Sequence, residues 1–264
     1  MGRPHRLDFA GGVYHVMNRG GAHCTIFHNA NDGSRFLELV GDAASRYGVR
    51  VLAYCLMPNH YHLLAACPEG GLSDFMHRIG SLYARHHNDR LGRDGPIFRS
   101  RFHSLVVDTD DYLACAGRYI HRNPLDIRPD EPLDQYRWSS YRYFVTQAEP
   151  PDWLSTTELL VPAGGLARYR SFVEVDSHDS TLDWAVDTAI LEAHPDDVTV
   201  PHLRRTVMLA MLGRADGNLA ERLGDLLVFP SDEARRAAMY RMRRHVDERP
   251  VVAEIAERAI RLAA

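Results

Sequence analysis

The run PNHYHLL places His60 and His62 on either side of Tyr61, and a later run, DYLACAGRYIHRNP, offers Tyr119 and Asn123. In an extended strand, residues two apart point to the same side. His60 and His62 can therefore converge on one divalent cation while Tyr61 turns into the opposite layer. In a helix, residues four apart share a face, which brings the Tyr119 hydroxyl beside the Asn123 amide. A cation that polarises a phosphodiester and a phenol that attacks it are the minimal parts for cutting DNA through a covalent protein–DNA link. Taken alone, an HxH pair is more often two histidines on a half-buried strand. Asn123 is equally suited to a third ligand position and to capping a helix that Pro124 ends. Tyr112, seven residues before Tyr119, lies on nearly the same helical face and is either a rival nucleophile or part of an apolar stripe.

The elements that must hold these residues are legible in the surrounding pattern. VYHVMNRG (13–20) is strand-like and ends in a glycine pair. The stretch 29–48 carries Phe36, Leu37, Leu39 and Val40 at helical spacing and stops at Gly48. VRVLAYCLM (49–57) and HYHLLAA (60–66) read as a hairpin broken at Pro58-Asn59. A helix is predicted over 72–90, a strand over 95–107, helix-capping acids at 108–111, and a helix up to Asn123. The order β-α-β-β-α-β-α predicts an α+β fold, a ferredoxin-like split βαβ antiparallel sheet with helices on one face. The histidine pair would lie on a central strand facing the Tyr119 helix.

Charge divides the rest of the chain. The sequence has 264 residues, a formal net charge of −4, and 31 basic residues that are all Arg. Residues 1–144 hold 17 Arg and 15 acids, residues 145–201 hold 2 Arg and 11 acids, and residues 202–245 hold 9 Arg and 5 acids. Two mildly basic modules around an acidic connector follow: a catalytic domain over 1–146, a linker over 147–198 and a small all-α domain over 199–264. The last contains a short helix pattern, a break at FPSD with a Ser231 cap, and an Arg-studded helix. That is a helix-turn-helix layout, in which Arg235, Arg236, Arg241, Arg243 and Arg244 are candidates for contact with duplex DNA. Arg19, Arg99 and Arg101 are candidate phosphate contacts near the histidines, the last two sharing a strand face. Solvated surface charge is the competing reading of all eight.

Cys24, Cys55, Cys67 and Cys115 stand apart without a CxxC pair, which favours buried reduced thiols over a zinc site. No apolar run reaches the length of a membrane span and no signal pattern opens the chain, so a cytoplasmic protein is expected.

The strings YHVMNRG, AYCLMPNHYHLL, GPIFRSRFHS and RYIHRNPLD, with WSSY at 138–141, resemble the HUH (His-hydrophobic-His) tyrosine transposases, closest to the REP-associated tyrosine transposase group. The resemblance spans about residues 10–145. It implies cleavage and strand transfer on single-stranded hairpin DNA through a 5′-phosphotyrosine, with Mg²⁺ or Mn²⁺ as cofactor. It makes His60 and His62 the metal pair, Tyr119 the nucleophile and Asn123 the metal-site residue one turn later, and leaves Tyr112 a packing role. Residues 202–260 resemble the C-terminal DNA-binding domain of the replication initiator DnaA, which implies duplex binding, although LLVFPSD departs from that family's turn. The alternative from another class is a regulator that keeps the fold and binds duplex DNA without catalysis. Monomer and homodimer are both compatible with the sequence.

Overall fold

The computed structural model describes residues 8–107, 110–161, 163–174, 186, 189–190, 203–227, 232–248 and 250–263. The predicted capping residues Asp108 and Thr109 and the Ser231 cap lie outside the described residues, as do the side chains of Asp110, Asp111, Tyr112, Cys115, Arg235 and Arg241.

Contacts divide the chain into a unit over Arg6–Glu174 and a second from Val175 to Ala264. The first is built on four strands, β1 (Gly12–Arg19), β2 (Arg50–Met57), β3 (His60–Cys67) and β4 (His103–Val106). Their spatial order is β2-β3-β1-β4, with every neighbour antiparallel. This is the expected split βαβ arrangement, in which α1 (Ala30–Tyr47) and α2 (Leu72–Leu91) are the crossovers.

Local chemistry sets these elements. The Asn29 side chain accepts from the Asp32 amide and caps α1, and Gly48 ends it at φ 64°, a left-handed conformation that costs glycine little. Phe36, Leu39, Val40 and Ala43 form the buried stripe that faces the sheet, while Leu37 is half-buried. Asp8 caps α2 from outside, accepting from the amides of Leu72 and Ser73 at 3.1 and 2.9 Å. Asp32, fully buried, pairs with Arg90 at 2.9 Å and ties the start of α1 to the end of α2.

Two expectations are corrected. The helices do not all share one face: α1 and α2 cover the face carrying Tyr14, Val16, Tyr61 and Leu63, and α3 (Asp110–Arg122) packs over the other, against Leu52, Cys55, Leu64 and Ala66. Apart from Arg50 and His60, the residues of β2 and β3 are buried throughout, as strands covered on both faces are. Second, the strand predicted over 95–107 shrinks to four residues. Residues 95–102 run irregularly along the end of β1, held by the Arg99 amide donating to the Arg19 carbonyl at 3.0 Å and by an isolated bridge from Phe98 to Gly20. Arg99 and Arg101 therefore do not share a strand face.

The acidic linker is also shorter than expected. After α4 (Arg142–Val145), α5 (Thr157–Leu160) and α6 (Leu166–Glu174) bury Leu159, Tyr169 and Val173 in the core over α3. Residues 147–174 thus belong to the first unit. Cys55 and Cys67 are buried as expected, but Cys24 is exposed.

The second unit contains α7 (Leu203–Leu212), α8 (Gly217–Leu226), α9 (Asp232–Glu248) and α10 (Pro250–Ala263), with α8, α9 and α10 each in contact with α7. Ala238 and Met242 are the inward side of α9, while Arg236, Tyr240, Arg243 and Arg244 are exposed. Among the described residues, no helix is long and apolar enough to cross a membrane.

Candidate active site

β3 lies between β2 and β1, so its residues are positioned by ladders on both sides. The turn before it is pinned as well: the Pro58 carbonyl accepts from Ile26 and Phe27 at 2.8 and 3.0 Å, and the Asn59 carbonyl from Gly20 at 2.8 Å. His60 and His62 emerge on one face, ring centroids 5.1 Å apart and nearly perpendicular. Tyr61 points into the other layer and packs on Phe36 with centroids 4.6 Å apart.

α3 lies over this face and brings Tyr119 to it. The phenol ring meets His62 edge-on at 5.3 Å between centroids and an 88° angle. Asn123 begins the 3₁₀ turn Asn123–Asp126 that follows α3. Its Nδ2 donates to the Tyr119 carbonyl at 2.9 Å, which both caps the helix and aims Oδ1 at His60 Nε2, 3.3 Å away. The two roles left open for Asn123 are therefore compatible.

His60 is the test of whether these residues suit a cation. Burial pushes its pKa below the ordinary imidazole range, against smaller upward effects of the Asn123 contact and the Asp126 charge. The neutral ring carries one proton. Its Nδ1 lies 2.7 Å from the Asn59 side-chain oxygen, a partner that suits an Nδ1–H donor. With the proton on Nδ1, Nε2 would present a lone pair beside the Asn123 oxygen, 3.3 Å away, and the two atoms could share a cation. Two imidazoles and an amide oxygen suit Mn²⁺ better than Mg²⁺. Among the described residues, no group of three or more His, Cys, Asp or Glu is arranged to hold a metal ion.

Arg19 sits directly across from His60 in the β1–β3 register and is mostly buried, its guanidinium 3.4 Å from His23 Nε2. It shares the histidine face. Arg99 is exposed and Arg101 half-buried beyond the end of β1. Arg236, Arg243 and Arg244 lie in the second unit.

Sequence reasoning missed two groups. His15 on β1 is buried, with Nε2 2.9 Å from His62 Nδ1 and its ring edge-on to Tyr119 at 5.6 Å. Alternation along β1 puts it on the histidine face, but its proximity to His62 depends on register, which strand periodicity does not give. The other group braces α3 from behind. His121 is fully buried, Nε2 2.8 Å from Ser140 Oγ and Nδ1 2.7 Å from the Tyr169 hydroxyl, and Ser140 Oγ accepts from the Tyr54 amide at 2.8 Å. Arg118 and Arg122 donate to the carbonyls of Phe172 and Val173. The WSSY string, noted only as a likeness, is thus the brace between α3 and β2.

Residues 10–123 match the family described as Transposase IS200 like. A Haemophilus influenzae protein assigned to the REP-associated tyrosine transposases is 25% identical over 175 residues, 60% of this chain and 96% of that protein. A solved REP-associated tyrosine transposase bound to a REP hairpin aligns with 59% of this chain and 92% of its own, at 17% identity and a TM-score of 0.47. A transposase-like crystal structure from Deinococcus radiodurans aligns with 42% of this chain and 88% of its own, at 19% identity and a TM-score of 0.33. The segment that matches the family described as Transposase IS200 like, residues 10–123, holds His60, His62, Tyr119 and Asn123.

Proposed function

We propose that this domain cleaves single-stranded, hairpin-forming DNA and transfers the strand through a phosphotyrosine at Tyr119. The observation that carries the reading is the meeting of Tyr119 with the His60–His62 face, edge-on at 5.3 Å, beside Asn123. The Tyr119 oxygen attacks phosphorus and a P–O3′ bond breaks. The phenol gives up its proton and the departing 3′ oxygen takes one up, leaving a 5′-phosphotyrosine and a free 3′-hydroxyl. Attack by a 3′-hydroxyl on the phosphotyrosine reverses the step and restores the phenol. His60, His62 and Asn123 would hold Mg²⁺ or Mn²⁺, which when bound polarises the phosphoryl oxygen. Arg19, paired with His60 across the sheet, would contact the same phosphate.

Hairpin DNA as substrate is supported by the sequence resemblance and by the group to which the Haemophilus influenzae relative is assigned. The exposed arginines of α9, with Tyr240 among them, support a duplex-contacting role for the second unit. The test is incubation with Mn²⁺ and a labelled hairpin oligonucleotide taken from inverted repeats of the source genome. A denaturant-stable adduct is expected from the wild type and from Tyr112→Phe, and none from Tyr119→Phe. An equal adduct from Tyr119→Phe, or none from the wild type on any such repeat, overturns the reading.

A further inference from the structure

We infer that His15 is a positioning residue that fixes the tautomer and ring orientation of His62, so that His62 presents Nε2 to a cation; this rests on the function proposed above. Val13, His15, Met17 and Arg19 alternate onto the α3 side of β1, and His15 is paired with Leu64. His62 is therefore its diagonal neighbour, two residues back along β3. The two rings close to 2.9 Å between His15 Nε2 and His62 Nδ1, with His15 1% and His62 3% exposed.

The direction of that hydrogen bond follows from what His62 must do. A neutral imidazole that offers a lone pair to a cation at one nitrogen carries its proton on the other. Nδ1 of His62 is turned to His15, so a cation held by this ring would be met at Nε2. Nδ1–H then donates, His15 Nε2 accepts, and the proton of His15 resides on its own Nδ1. Ligating histidines usually give this proton to a carboxylate, a carbonyl or water; here a second imidazole takes that place. His15 also touches Tyr119 edge-on at 5.6 Å, so the phenol ring is held between His15 and His62. One buried side chain thus aligns the ligand and steadies the nucleophile, without touching DNA or metal.

The decisive measurements use the full-length protein. Long-range ¹H–¹⁵N imidazole spectra of the unaltered, metal-free chain are expected to show His62 as the Nδ1–H tautomer. The Nε2–H tautomer overturns the inference. Mn²⁺ titration followed by electron paramagnetic resonance, without DNA, then compares variants. His15→Leu fills the space but accepts nothing and is expected to weaken Mn²⁺ binding by about 10- to 100-fold. His15→Gln places an amide oxygen near the former Nε2 and is expected to stay close to the wild type. Equal behaviour of the Leu and Gln variants overturns the role of His15 alone. A wild type that binds Mn²⁺ no better than His62→Ala removes the metal reading, and the role of His15 with it.

Discussion

The Asn123 side-chain amide donates to the backbone carbonyl of Tyr119, one helical turn back, at 2.9 Å. One contact therefore ends α3 and sets which way the amide oxygen faces. The register of the proposed nucleophile and the aim of the proposed ligand are coupled by a single side chain.

Removing that side chain separates the two effects. Asn123→Ala loses one neutral hydrogen bond, a stability cost of about 1 kcal/mol. It also loses an oxygen facing His60, and Mn²⁺ affinity is expected to fall by at least about tenfold. Asn123→Asp keeps an oxygen toward His60 but loses the donor to Tyr119, and should bind Mn²⁺ while forming adduct more slowly. Calorimetric Mn²⁺ titration beside adduct kinetics checks both.

Acid should loosen the brace behind α3. Burial lowers the His121 pKa to about 3 from an ordinary 6.5. The unfolded chain takes a proton at this residue near pH 6.5, and the folded chain only near pH 3. Stability from this site is fully present above pH 6.5 and falls as the pH drops through that window, with a limiting slope of about 1.4 kcal/mol per pH unit. His121→Gln cannot titrate, so its urea-unfolding free energy should fall less steeply than the wild type's between pH 6 and 4. Parallel curves would refute this.

Gly117 tests how closely α3 must approach α5 and α6. A glycine in a helix interior is ordinarily improved by alanine, by roughly 0.5–1 kcal/mol. Here an added Cβ would lie 2.6 Å from Leu159 Cδ2 and 2.8 Å from the Tyr169 hydroxyl. Overpacking of that kind costs about 1–3 kcal/mol, so the net effect of Gly117→Ala is expected to be destabilising. Because the displaced helix carries Tyr119, adduct formation should slow as well. Thermal melts and single-turnover cleavage provide the two readouts.

In the second unit, Arg236, Arg243 and Arg244 are exposed on α9. If each meets a phosphate, the triple alanine variant should lower the salt dependence of duplex binding by about 0.9 per residue in log–log slope. Fluorescence anisotropy from 50 to 200 mM salt measures it, and an unchanged slope excludes these residues from the duplex contact.

Much of this arrangement was legible in the residue pattern. Alternation alone puts His60 and His62 together and sends Tyr61 away, and helical spacing alone relates Tyr119 to Asn123. Pro58-Asn59 and Gly48 mark breaks that the structure keeps. What pattern reading could not supply was long-range. The closeness of His15 to His62 is a matter of strand register. The capture of 147–174 by α3 depends on a few buried residues, Leu159, Tyr169 and Val173, in a stretch whose overall acidity suggested solvent. The strand predicted through Arg99 and Arg101 failed because backbone bonds to β1 held an irregular path that β-rich composition does not reveal.

The strand with the two imidazoles has a neighbour on each side along its length, whereas β4, at the sheet's rim, is only four residues long. Fraying starts at rims and reaches the interior last. The amides of His60 and His62 should therefore exchange with deuterium on the timescale of whole-domain unfolding, long after those of Ser104 and Val106. The proposed chemistry stands on the most slowly yielding part of the scaffold.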